Sequence, residues 1–242
     1  MCELAPLPDG FGETRDALHR VAVHVLARRR HALSGKIGLR AAPGGIGTPA
    51  AGPEHEILRT TGALLVRERT GATASRASID LGTATLRDAA ALADVDLSAP
   101  FDAGHDTPPV GDPDARLGVD HLAAIVLARW YDLAWSTLDA VASALPPTST
   151  PSVLQLWPEH FDAGCDVGAG AGRVNLGASP GDGFHPEPYL YVGPWGPERP
   201  GDAGFWNAPF GAALCHGELL DAPDPEIAAV SFLMRGVELL AG

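Results

Sequence analysis

Apolar residues recur at helical spacing through residues 14–33, TRDALHRVAVHVLARRRHAL, where Leu18, Val21, Ala22, Val25 and Leu26 share one face and Thr14 offers an N-cap. Gly35 closes that helix. The pattern then changes: KIGLRA, HEILRTTG, ALLVRER and SRASIDL form short runs between glycines and prolines, which predicts four strands. A small helix at 85–93 ends the first half. The longest helical signal covers 119–145, with apolar residues such as Trp130, Tyr131, Leu133, Trp135 and Leu138 around most of its circumference. Its polar stripe, Asp132, Ser136, Asp139 and Ser143, is assigned to solvent. Beyond Pro146, Pro147 and Pro151 come strands at 153–157, 160–167, 173–178, 188–193 and 211–219, then a last helix with Asp224 as N-cap and Pro225 at its first position. The expected fold class is α+β, two mainly antiparallel sheets covered by three long helices. Residues 98–118, rich in Pro, Gly and Asp, have neither period and read as a surface linker. The chain is expected to form one compact unit over 1–242, with lobes 14–97 and 119–242 on either side of that linker.

Alternation sorts the later strands by face. In HFDAGCDVG it puts Phe161, Ala163, Cys165 and Val167 on one side and His160, Asp162 and Asp166 on the other. RVNLGAS separates Val174, Leu176 and Ala178 from Arg173, Asn175 and Ser179, and the GAGAG between the two runs is a natural hairpin loop. Superposing the apolar faces requires paired positions to sum to an odd number, which sets Asp166 near Asn175 and Asp162 near Ser179. In EPYLYVGPW, Glu187, Tyr189, Tyr191 and Trp195 oppose Leu190 and Val192. One face thus gathers His160, Asp162, Asn175, Ser179, Glu187, Tyr189 and Tyr191, with His185 at its rim and Trp157, Glu159 and Asp182 as further binding residues. Pro186 and Pro188 hold His185 and Glu187 in extended backbone. The plain alternative is that Pro-Glu-Pro begins an edge strand whose acids face water.

Composition narrows the chemistry. With 242 residues and 45% hydrophobic content the chain can bury a full core. A net charge of −13 argues against nucleic acid and anionic membranes. It is unevenly spread: residues 1–87 hold 12 basic and 8 acidic side chains (+4), and 88–242 hold 5 and 22 (−17). No run of eighteen apolar residues and no signal-like N-terminus are present, so a cytoplasmic location is expected. Cys2, Cys165 and Cys215 fit neither a zinc pattern nor a disulfide framework and read as reduced thiols.

The sharpest chemical hypothesis is a divalent metal, zinc or iron, held by His160, His185 and one of Asp162, Glu187 or Asp182. A metal-free version makes His160 a general base oriented by Asp162 or Glu187. An ordinary buried, hydrogen-bonded histidine is the competing reading. GASPG at 177–181 matches a nucleophile-elbow pattern, but the proline after Ser179 forbids the helix an elbow needs, so it reads as a turn. PGGIGTP at 43–49 is likewise a turn. His24 and His31, near His19 and beside Arg28, Arg29 and Arg30, read as a solvated face, and His216 and Glu218 as neighbours on a strand.

LWPEHFD followed by GASPGDGFHPEPYLYVGPW resembles a conserved hypothetical protein family of high-GC bacteria over most of the chain. SGKIGL and GGIGTP resemble, more faintly, another family of unknown function. The resemblance implies a two-sheet α+β unit and brings no activity with it. The expected function is small-molecule binding in a polar and aromatic pocket of the C-terminal sheet, as a metal-assisted or acid–base enzyme. The alternative is a non-catalytic interaction protein that uses its acidic C-terminal half.

Overall fold

The computed structural model describes residues 4–242, so Cys2 lies outside the described residues. The chain folds as two compact units. The first comprises Leu7–Tyr131 and Leu156–Phe161; the second comprises residues 4–6, Asp132–Gln155 and Asp162–Gly242.

In the first unit, α1 (Phe11–Val21), a π-helical stretch (Ala22–Ala27) and α2 (Arg28–Ser34) run on as one helix. It starts ahead of Thr14 because Gly10 takes a left-handed φ of 78° and serves as N-cap. Thr14 is buried inside the helix, and its Oγ1 accepts the Asp120 N–H at 3.0 Å. β1 (Arg40–Ala42), β2 (Gly45–Gly47), β3 (Ile57–Thr61), β4 (Leu64–Arg69) and β5 (Ser75–Asp80) form an antiparallel sheet in sequential order. PGGIGTP therefore supplies a strand as well as a turn. α3 (Leu86–Leu92) opens on a capping box between Thr85 and Asp88.

Residues 98–118 have no regular element, yet they belong wholly to the first unit. Side chains four apart on the first helix satisfy carbonyls of this segment and the residues just before it. Arg20 donates to Val110 and Asp112, His24 to Pro108 at 2.8 Å, and Arg28 to Asp96 and Ala99. The solvated reading of that face fails for His24, which is buried. It fails also for Arg29, which donates twice to the buried Glu56. The division between units falls inside α4 (His121–Ala144), between Tyr131 and Asp132, and not at 98–118.

The second sheet runs β10-β9-β8-β7-β6, with β6 at Gln155–Trp157, β7 at Asp162–Ala169, β8 at Gly172–Ser179, β9 at Tyr189–Pro194 and β10 at Ala212–Cys215. Asp166 pairs with Asn175 and Ala163 with Ala178, the odd-sum register that alternation requires. Val167, Val174, Leu176, Leu190 and Val192 are fully buried on the opposite face. There α6 (Pro225–Ala241) packs so closely that a Cβ on Gly236 would stand 2.7 Å from Val192 Cγ1. Asp224 caps α6 by accepting the Ile227 N–H at 3.0 Å. Asp132, Ser136, Asp139 and Ser143 are all exposed.

The stretch 211–219 is not one strand: β10 ends at Cys215 and α5 (His216–Leu220) follows. The Glu218 carboxylate accepts the Cys215 N–H at 2.8 Å, so CHGE is a helix start, with the glutamate at the third helical position. The fold is thus α+β with two antiparallel five-stranded sheets and five continuous helices among the described residues, rather than three. None of them is long and apolar enough to cross a membrane. Cys165 and Cys215 are free thiols on β7 and β10, three strand spacings apart and too distant for a disulfide.

Candidate functional site

The turn that carries His160 is unusual in its backbone. Phe161 donates its N–H to the Trp157 carbonyl at 2.8 Å and adopts a φ of 58°, left-handed space that a bulky residue enters at a cost of about 1–3 kcal/mol. Several contacts hold it there. Tyr131 donates its hydroxyl to the Phe161 carbonyl at 2.6 Å. The His19 ring stacks on Phe161 with centroids 4.9 Å apart and planes 6° from parallel. His19 Nε2 also reaches the carbonyls of Pro158 at 2.9 Å and Glu159 at 3.2 Å. Burial lowers the His19 pKa to about 4 against the opposing pull of those carbonyls, so the ring is neutral with its proton on Nε2.

The turn presents His160 to the loop at 104–108. His160 Nδ1 and His105 Nε2 both face Asp106 Oδ2, at 2.9 and 3.1 Å, and the two rings meet edge to face at 5.1 Å. One ligand atom from each of the three residues lies within 4.8 Å of the others. All three side chains are open to solvent. The loop is itself fixed, by the Thr107 hydroxyl donating to the Gly104 carbonyl at 2.8 Å and by His24 on Pro108. Two imidazoles and one carboxylate with an open side is a donor set suited to zinc or non-haem iron.

Glu159 is the buried neighbour of this cluster, 8% exposed, and its Oε2 has no hydrogen-bond partner among the described residues. Its side chain lies along Gly104, where a Cβ would stand 3.0 Å from Glu159 Cγ; only glycine fits there at a φ of 136°.

In the second unit, the polar face of the sheet is built around two tyrosines. The Tyr191 ring lies flat over Gly177, where any Cβ would collide with it, and its hydroxyl donates to the Asp162 carboxylate. Tyr189 donates to Asp182 at 2.6 Å. Asp182 also accepts from the Ser179 hydroxyl at 3.2 Å and from the Phe184 and His185 N–H groups, which ties the 179–185 turn together. Burial, reinforced by the neighbouring aspartates, pushes both phenols above their ordinary pKa and keeps them neutral donors. Phe184 meets Tyr189 and Phe210 edge to face, and the His185 ring approaches Tyr189 at 6.3 Å. Asn175 accepts the Trp195 indole N–H at 2.7 Å. Glu187 faces the buried His216, whose pKa burial lowers while Glu187 opposes the shift.

The residues read from sequence therefore fall into two groups. Asp162, Ser179, Asp182, His185, Tyr189 and Tyr191 meet on the second sheet, with Asn175 engaged by Trp195 and Glu187 by His216. Trp157, Glu159 and His160 belong to the first unit, where the partners of His160 are His105 and Asp106. Those two lie in the segment whose composition predicts a linker. The signal was present: GHD and PEH each set an imidazole beside a carboxylate in a proline-rich, aperiodic stretch. Two cavities lie elsewhere, one of about 590 Å³ beside Asp80, Asp88 and Leu92 and one of about 460 Å³ between Leu145, Ala169 and Met234.

No family model, curated protein or solved structure matches the chain.

Proposed function

We propose that this protein binds a divalent transition-metal ion through His105, Asp106 and His160 and takes a small molecule at the coordination positions those residues leave open. The observation that supports this reading is the convergence of two imidazole nitrogens on one carboxylate oxygen at 2.9 and 3.1 Å, on a turn held in a strained conformation beside it. Three protein donors with an exposed side fit a metal that keeps exchangeable positions for water or substrate. The tyrosine face of the second sheet supports the reading less well, because Asp162, Asp182 and both tyrosine hydroxyls already satisfy one another there.

The test is metal analysis of protein purified without an affinity tag, with thermal stability measured on adding zinc, iron, manganese or EDTA. One ion per chain, lost in His160→Ala, is the expected result. No stoichiometric metal, together with a melting temperature that none of the ions moves, would overturn the proposal and favour a non-catalytic interaction protein.

A further inference from the structure

Resting on that reading, we infer that Glu159 is the fourth protein donor of the site, so that the ion is held by two adjacent imidazole–carboxylate pairs, His105–Asp106 and Glu159–His160. Glu159 stands out on electrostatic grounds. The residue is more than nine-tenths buried, and one of its carboxylate oxygens makes no hydrogen bond among the described residues. A buried carboxylate oxygen without a donor has lost its hydration with nothing in return, a cost that persists only where something else repays it. His19, whose ring reaches the same turn, does not serve: it is neutral, and it spends its Nε2 proton on the backbone carbonyls of Pro158 and Glu159.

Position adds to the charge argument. The Glu159 side chain runs along the backbone of Gly104, whose missing Cβ leaves room for it, and Gly104 immediately precedes His105. The carboxylate is therefore beside the same loop that carries the other two donors. It is not among the atoms already within 4.8 Å of one another. A change in its outer torsions, on a side chain with three rotatable bonds, is what the fourth bond requires. His105, Asp106 and His160 are the solvent-exposed members and Glu159 the buried one, so an ion drawn to Glu159 also moves out of bulk water. Two carboxylates neutralise a divalent charge, and oxygen-rich donor sets with imidazole suit manganese, iron and zinc better than thiolate-seeking ions.

Cobalt(II) serves as the probe, titrated into the metal-free protein with calorimetry and visible absorption as readouts. Wild-type protein is expected to bind one ion. His105→Ala and Asp106→Asn should abolish binding, and Glu159→Gln should weaken it at least tenfold while the metal-free melting temperature stays level or rises, because the variant replaces a buried carboxylate, one oxygen of which lacks a donor, with an amide. A structural role for Glu159 predicts the opposite: a lower melting temperature with affinity unchanged. Should Glu159→Gln not fold, Glu159→Asp is the second variant, and its shortened reach should cost affinity as well. An infrared difference spectrum of the wild type, metal-bound minus metal-free, should show two perturbed carboxylates. If wild-type protein binds no cobalt, the metal site itself is refuted. If it binds, and the His105 variant does not, but Glu159→Gln binds within twofold of wild type, the site stands and Glu159 is not its fourth donor.

Discussion

Replacing Glu56 with glutamine should reveal how the excess positive charge of the N-terminal half is spent. Glu56 is 3% exposed, and its carboxylate accepts from Arg29 at 2.7 and 3.1 Å, from Arg67 at 2.8 and 3.0 Å and from Arg69 at 2.9 Å. Burial alone would raise its pKa; the three guanidinium groups more than reverse that and hold it at about 2, against an ordinary 4.5. A carboxylate with those two values contributes about 3 kcal/mol at neutral pH, at 1.36 kcal/mol per pKa unit. Solvent access on the Arg69 side brings the expected loss in Glu56→Gln to about 2 kcal/mol. The sign follows from the lowered folded-state value. The contribution is complete above pH 4.5, falls to about half by pH 3 and vanishes towards pH 2. Urea unfolding of wild type and variant at pH 7 and pH 3 measures both numbers. A deficit below about 0.5 kcal/mol at pH 7, or one equally large at both pH values, would refute the argument. Asp94 neutralises Arg67 and Arg69 further, so these arginines are engaged within the unit and not displayed to an anionic partner.

Three further outcomes are expected. Gly177→Ala should cost about 1–3 kcal/mol in urea unfolding, because a Cβ there has no room beneath the Tyr191 ring; an unchanged midpoint would mean that the ring is free to lift. His19→Phe keeps a ring against Phe161 but deletes the donor to the Pro158 and Glu159 carbonyls, so stability should fall by about 1–2 kcal/mol and cobalt affinity should fall with it; full affinity would show that the turn holds its shape without His19. In a Cys2→Ser background, native protein should react slowly with a thiol reagent at pH 8. Burial pushes Cys165 up to about 11 and also raises Cys215, so prompt modification of either before unfolding would contradict the structure.

What was legible in the sequence was local. The odd-sum register of β7 and β8 follows from period-two alternation alone, since a one-residue slip would turn Val167, Val174 and Leu176 to the polar face. The Asp224–Pro225 start of α6 is a short-range capping signal of the same kind. The helix that replaces the end of the 211–219 strand was also legible in principle, through the glutamate three residues after Cys215, but alternation masked it over so short a span. The π-helical stretch at 22–27 has no sequence period of its own. The docking of 98–118 was invisible for a different reason: it depends on donors at Arg20, His24 and Arg28 meeting carbonyls, and a carbonyl carries no residue identity. The partnership of His160 with His105 was hidden with it.

That last gap explains why the candidate site lies in irregular backbone. A loop docked on a helix leaves carbonyls to be satisfied, and the His24 ring with the Arg20 and Arg28 guanidinium groups does so without imposing a strand or helix on the loop. Freed from regular geometry, the 104–108 loop and the 157–161 turn can set an imidazole and a carboxylate on consecutive residues and bring one ligand atom each of His105, Asp106 and His160 within 4.8 Å of the others. The left-handed Phe161 is the cost of that arrangement, and His19 and Tyr131 hold it in place. A turn whose only duty was to connect β6 to β7 would have no need of a buried phenylalanine at positive φ. Relaxing it by substitution at His19 should therefore disturb the His160 cluster before it disturbs the fold.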